Sequence, residues 1–163
     1  MEMFRTIVCP VDFSDASYAA LETAQGLARH FGGELIVIHV VEPIPPVPVD
    51  TDGSMRFDVF QYEDELMTSA DRLLQETMAE RLTDDVKTRL VVVGGVPWEE
   101  VVRVAAEENA GLLVIATHGR AGWKHLLFGS VTEKVIRVAP CPVLVIRAPK
   151  DSETPPEHDQ ASG

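Results

Sequence analysis

Five short runs rich in Val and Ile, Thr6–Val11, Leu35–Val41, Thr88–Val93, Leu112–Ala116 and Pro142–Ile146, leave this chain few architectures to choose from. Their apolar character is continuous rather than alternating, as it is in strands covered on both faces of a parallel sheet. Helical stripes separate them. Ala16, Ala19, Ala20, Ala24, Leu27 and Ala28 recur at spacings of three and four, as do Leu66, Ala70, Leu73, Leu74 and Met78. Val101, Val102, Ala105 and Ala106 follow Pro97, a residue suited to a first helical turn, and Val131, Val135 and Ile136 form a shorter stripe. Strand–helix alternation with crossover helices predicts an α/β fold: one open, doubly wound, parallel five-stranded sheet with helices on both faces.

With 163 residues, 45% of them hydrophobic, the chain suits a single domain able to bury a core without disulfides or structural metals. The domain is expected over residues 1–148. Pro43, Pro45, Pro46 and Pro48 forbid a regular element and predict a surface loop over 42–60, a lid, a contact surface or a plain flexible loop. The polar stretch 149–163, with Pro155 and Pro156, reads as a disordered tail. A net charge of −12 repels nucleic acid and anionic membranes, so neither is an expected partner. No apolar stretch approaches the roughly 20 residues of a membrane span, and the start lacks a signal peptide, so a cytoplasmic location is expected. Cys9 and Cys141 lack a CxxC partner and read as small buried thiols.

Chemistry concentrates between Ala116 and Arg137. A strand ends at Ala116, a stretch bearing Gly119, Gly122 and Gly129 follows, and a helix is predicted from Ser130. Glycine lets backbone approach a ligand, and the N–H groups and positive dipole end of a helix favour an anion such as phosphate. Thr117–Arg137 holds Arg120, Lys124, Lys134 and Arg137 against the single acid Glu133, a cationic island in an acidic chain. Ser130-Val131-Thr132-Glu133 also reads as a capping box, in which the helix satisfies its own orphan donors without a ligand. Neither the P-loop order nor the G-x-G-x-x-G dinucleotide fingerprint is present. His118 and His125 are not at zinc-ligand spacing.

Residues 3–148 resemble the universal stress protein family. The resemblance is carried by Ile7-Val8-Cys9-Pro10-Val11-Asp12-Phe13-Ser14, by Gly95-Val96-Pro97, by Thr117-His118-Gly119-Arg120 through Gly129-Ser130, and by Ala139-Pro140-Cys141-Pro142-Val143-Leu144-Val145. The nucleotide-binding branch shows G-x-x-G, nine residues, then G-[S/T]; Gly119, Arg120–Phe128 and Gly129-Ser130 match, and Ala116 replaces the first glycine. The resemblance implies sheet order 3-2-1-4-5, which puts a ligand beyond the first and fourth strands, where the order reverses.

The resemblance also implies roles. ATP or another adenine nucleotide would lie against Pro10, Val11, Asp12 and Ser14, with Asp12 accepting from ribose hydroxyls or the adenine edge. Asp12 also reads as a turn residue before Ser14. Val40 and Val41 would meet the base, with Val41 equally readable as core. Thr117, His118, Gly119, Arg120, Gly122, Gly129, Ser130, Val131 and Thr132 would surround the phosphates, and Arg120 and Lys124 would offset their charge or simply be solvated. Mg²⁺ or Mn²⁺ would be held by phosphate oxygens and water. No general base for phosphoryl transfer is evident, and the S-G-G-x-D-S loop of ATP pyrophosphatases is absent. Three functions follow: an ATP-binding stress or signalling module whose nucleotide state changes contacts with a protein partner, a slow ATP-hydrolysing enzyme, or a nucleotide-independent dimeric interaction protein. The apolar edge strand 142–146 is expected to join two copies in a homodimer.

Overall fold

The computed structural model describes residues 4–43, 59–117 and 129–147. The elements follow in the order β1 (Thr6–Pro10), α1 (Asp15–Phe31), β2 (Glu34–Val41), α2 (Val59–Arg81), β3 (Thr88–Gly94), α3 (Pro97–Glu107), β4 (Leu112–Ala116), α4 (Ser130–Val138) and β5 (Val143–Ile146). All five strands are parallel, in the order β3-β2-β1-β4-β5. The fold class and strand order agree with the expectation. The stretches 44–58 and 118–128 and the tail from 148 onward lie outside the described residues.

Strand periodicity sorts the core into two layers. Ile7, Cys9, Leu35, Val37, Leu112 and Val114 pack with Ala20, Leu21, Ala24 and Ala28 of α1 and Leu74 and Met78 of α2. Val8, Ile36, Ile38, Leu113 and Ile115 pack on the other face with Val101, Val104 and Ala105 of α3 and Val135 of α4. Both faces of the central strands are therefore dry, which is why their sequences do not alternate.

Local signals fix the connections. Ser14 caps α1, its Oγ accepting the Ser17 N–H at 3.2 Å. Gly32 ends the helix in a left-handed conformation (φ 63°). At Gly33 a Cβ would lie 2.3 Å from the Phe4 carbonyl oxygen, so the approach of the two backbones demands glycine. Pro97 occupies the first turn of α3, as its place in the sequence predicts.

Four expectations shift. Helix α2 begins at Val59, so the last two residues of the expected 42–60 loop are helical. Strand β1 stops at Pro10, although the Val11 N–H still donates to the Ile38 carbonyl at 2.8 Å. Leu73 and Ile136 are exposed, at 47% and 41%, because neighbours about 100° away on each helix take the inward positions. For the same reason Leu21 and Val104, outside the expected stripes, are buried.

Candidate functional site

The chain departs from β1 toward β2 on one side, and β4 continues to β5 on the other, so a crevice opens above the carboxyl ends of β1 and β4. Its volume is about 350 Å³, within the range of small-molecule sites. Pro10, Val11, Asp12, Val40, Gly129, Ser130, Val131 and Thr132, all expected at the site, line it. The floor and far wall add Ile38, Val101, Ile115 and Ala116, with Ser17, His39, Glu42 and Pro97 completing it.

Helix α4 points its amino end at this space. Gly129 is its N-cap, with φ −70° and ψ 160°, and as glycine it brings no side chain to cap the helix. Ser130 therefore lies one position inside the helix, where it cannot close a capping box. Glu133 turns away to accept from Arg137 at 2.7 Å. The first intrahelical bond runs from the Glu133 N–H to the Gly129 carbonyl at 3.0 Å, so helix geometry leaves the N–H groups of Ser130, Val131 and Thr132 without intrahelical acceptors. The self-capping alternative is thus not the arrangement the chain adopts.

Two bonds set where that helix begins. The buried Thr132 hydroxyl donates to the Ala116 carbonyl at 2.7 Å, tying the first turn of α4 to the end of β4. The Gly129 N–H donates to the Thr117 carbonyl at 2.6 Å, and the Thr117 N–H donates to Ile146 at 2.8 Å. Thr117 is buried and serves this scaffold. Ala116, where the family pattern has glycine, is buried with the α1-side core and also borders the crevice.

On the opposite wall the β1–α1 turn presents Asp12. Its Oδ1 accepts the Ser14 N–H at 3.1 Å and the Ser14 hydroxyl, an Asx-type turn that makes Ser14 a support for Asp12. The turn reading of Asp12 is therefore correct, and it leaves the same carboxylate bordering the crevice. Phe13 follows with φ 64°, a left-handed conformation costing a residue with a side chain about 1–2 kcal/mol. Its ring lies 4.5 Å from that of His39, whose Nδ1 meets the Val11 carbonyl at 2.8 Å.

Several expectations change. Val41 borders a neighbouring cavity of about 290 Å³ with Leu66, Met67, Gly94 and Gly95, and Glu42 is common to both cavities. The strand's two-residue alternation explains why Val40 faces the crevice and Val41 does not. His118, Gly119, Arg120, Gly122 and Lys124 lie outside the described residues. Of the cationic island, Lys134 and Arg137 are the described members. Arg137 pairs with Glu133, and Lys134 sits 5.4 Å above the Trp98 ring on the flank of α4. Arg89 and Lys87 pair with Glu34 at the other end of the sheet. Among the described lining residues the ionised side chains are the acids Asp12 and Glu42, so the positive character there comes from the backbone of α4.

Sequence reading missed Ser17, His39 and Pro97. Ser17 was detectable as the third residue of the Ser14 cap, and Pro97 as the start of a helix facing the switch point. His39 carried no signal, because it sits inside an apolar run. Among the described residues no group of three or more His, Cys, Asp or Glu could hold a metal ion, and no helix is long and apolar enough to cross a membrane.

A parallel sheet with a helix amino end and an opposed carboxylate at its switch point defines an α/β module of the doubly wound class. Within that class the assignment is specific: residues 3–147 match the model of the universal stress protein family, and the chain belongs to that family. It is 35% identical over 148 residues to universal stress protein MJ0531 of Methanocaldococcus jannaschii, covering 91% of this chain and 85% of that one. The solved structure of MJ0577, from the same organism, superposes with TM-score 0.76 at 28% identity over 91% of this chain and 99% of that one. A universal stress protein solved in complex with cAMP superposes with TM-score 0.60 at 25% identity, covering 90% and 99%.

Proposed function

We propose that the crevice binds an adenine nucleotide, with ATP as the ligand the family resemblance favours, and that the protein is a stress-response or signalling module whose nucleotide state alters contacts with a protein partner. The observation that carries this reading is the uncapped amino end of α4. Three N–H groups at Ser130, Val131 and Thr132 converge on a crevice of nucleotide size, and this chain has not satisfied them with its own capping box. In this reading they receive phosphate oxygens, with the Ser130 hydroxyl as a further donor. Asp12, opposite, accepts from ribose hydroxyls or the base edge. Val40, Ile38 and Ile115 supply the apolar wall for the base. Mg²⁺ or Mn²⁺ is held by phosphate oxygens and water, because Asp12 and Glu42 do not make a metal cage. The cAMP complex of a relative supports an adenine nucleotide as the ligand class.

The second reading, a nucleotide-independent dimeric interaction protein, draws on a different observation. β5 is an edge strand whose Leu144 is 37% exposed, and the described lining residues include the acids Asp12 and Glu42 with no lysine or arginine. Slow ATP hydrolysis, the enzyme reading that the resemblance implies, is tested by product analysis after incubation with ATP and magnesium. Mass analysis of small molecules released from freshly purified protein, followed by calorimetry with ATP and magnesium, separates the readings. The nucleotide reading predicts a released adenine compound and measurable heat, both lost in Gly129→Glu, which sets a carboxylate against the N–H groups. No adenine compound and no heat in the unaltered protein would refute it.

A further inference from the structure

We infer that His39, which no motif of the site includes, is a positioning residue that holds Asp12 where a nucleotide can reach it; the inference rests on the nucleotide reading above. Alternation along β2 places the His39 ring on the α1 side of the sheet, with Leu35 and Val37, whereas Ile38 and Val40 face the crevice side. His39 also borders the crevice, and it reaches Asp12 through the turn.

The Val11 carbonyl can only accept, so Nδ1 of His39 carries a proton and donates across 2.8 Å. The Val11 N–H donates to Ile38 at 2.8 Å, so β2 grips Val11 through both its N–H and its carbonyl. The next residue is Asp12. The one after, Phe13, is held at φ 64° with its ring 4.5 Å from His39. Nothing in the local sequence favours a left-handed phenylalanine, so tertiary contacts must maintain it, and the His39 ring is one of them. Beyond Phe13, Ser14 anchors Oδ1 of Asp12 from the helix side. One imidazole thus holds the residue before Asp12 by a hydrogen bond and the residue after it by ring contact. An apolar ring at 39 would pack as well on Phe13 and lack the donor, which is what separates positioning from mere packing.

The experiment is a double-mutant cycle read by calorimetric titration with ATP and magnesium. His39→Phe keeps the ring and removes the donor; His39→Asn restores an amide donor close to the Nδ1 position. His39→Phe should weaken binding about three- to tenfold, the scale of one net hydrogen bond. In an Asp12→Ala background the same change should matter less than about twofold. His39→Asn should recover most of the loss. Equal losses in both backgrounds would mean a structural role and would overturn the inference. Long-range ¹H–¹⁵N spectra of the unaltered protein add a test that needs no variant: Nδ1 must be protonated, and an unprotonated Nδ1 refutes the clamp. Should His39→Phe fail to fold, His39→Asn in the two backgrounds and the tautomer decide. If the unaltered protein binds no adenine nucleotide, both readings fall; if it binds and the coupling is absent, only the His39 inference falls.

Discussion

Replacing Thr132 by Val is the sharpest test of how the fold builds the crevice. The two side chains have nearly the same shape, so the change leaves no cavity and removes one interaction, the 2.7 Å bond from the Thr132 hydroxyl to the Ala116 carbonyl. Thr132 is 4% exposed and Ala116 7%, so water does not readily replace the lost donor. Stranding a buried acceptor costs about 1–3 kcal/mol. For a chain of this length each kcal/mol lowers Tm by about 2–4 °C. The expected outcome is a Tm several degrees lower, with the denaturant m-value unchanged. Thr132→Ser retains the hydroxyl and should keep the tie. The same bond sets the amino end of α4 against β4, so Thr132→Val should also weaken nucleotide binding, whereas a change to the exposed Glu133 should not. The measurements are thermal unfolding by circular dichroism and titration with ATP and magnesium. A Tm within about one degree of the unaltered protein, together with unchanged affinity, would refute the claim that this hydroxyl seats the helix.

Burial pushes the Cys9 thiol up to about 12 from an ordinary value of 9.0, so the folded state holds its proton more tightly than the unfolded chain. That contribution to stability is complete below pH 9 and is lost as pH rises toward 12; at pH 10 the loss is about 1.4 kcal/mol. Denaturant unfolding at pH 8 and pH 10 should show the unaltered protein losing that much more than Cys9→Ala; parallel losses would contradict it. Gly33→Ala should cost about 1–3 kcal/mol by overpacking against the Phe4 carbonyl, and an unchanged unfolding midpoint would count against the close approach. The homodimer proposal predicts a two-chain mass by light scattering at micromolar concentration, reduced to one chain by Leu144→Lys with the fold intact. A monomeric, folded unaltered protein would remove that proposal.

Fold and site were legible in the sequence to different degrees, for physical reasons. Strands buried on both faces advertise themselves as unbroken Val and Ile runs, and Pro97 and Ser14 mark helix starts by backbone chemistry that does not depend on tertiary context. Val40 against Val41 could not be resolved that way, because an unbroken apolar run hides which residues face which side. The capping-box alternative could not be settled from sequence for a related reason. Ser130 and Glu133 have the right spacing, but the bonds from Thr132 to Ala116 and from Gly129 to Thr117 start the helix one residue earlier than the motif requires. Of the cationic island, Lys134 and Arg137 are sequence neighbours of the crevice whose contacts lie along the helix flank, while Arg120 and Lys124 lie outside the described residues. His39 is the residue no local pattern could disclose, for its partners stand 28 positions away at Val11 and across the sheet at Phe13.

The bond between the Gly129 N–H and the Thr117 carbonyl makes a neck: the chain departs from the sheet and returns to it at two points fixed to each other. Both partners in that closure are backbone groups, so the spacing between the end of β4 and the start of α4 does not depend on which side chain stands at position 117, and at 129 it requires only that the residue keep its N–H, which proline alone lacks.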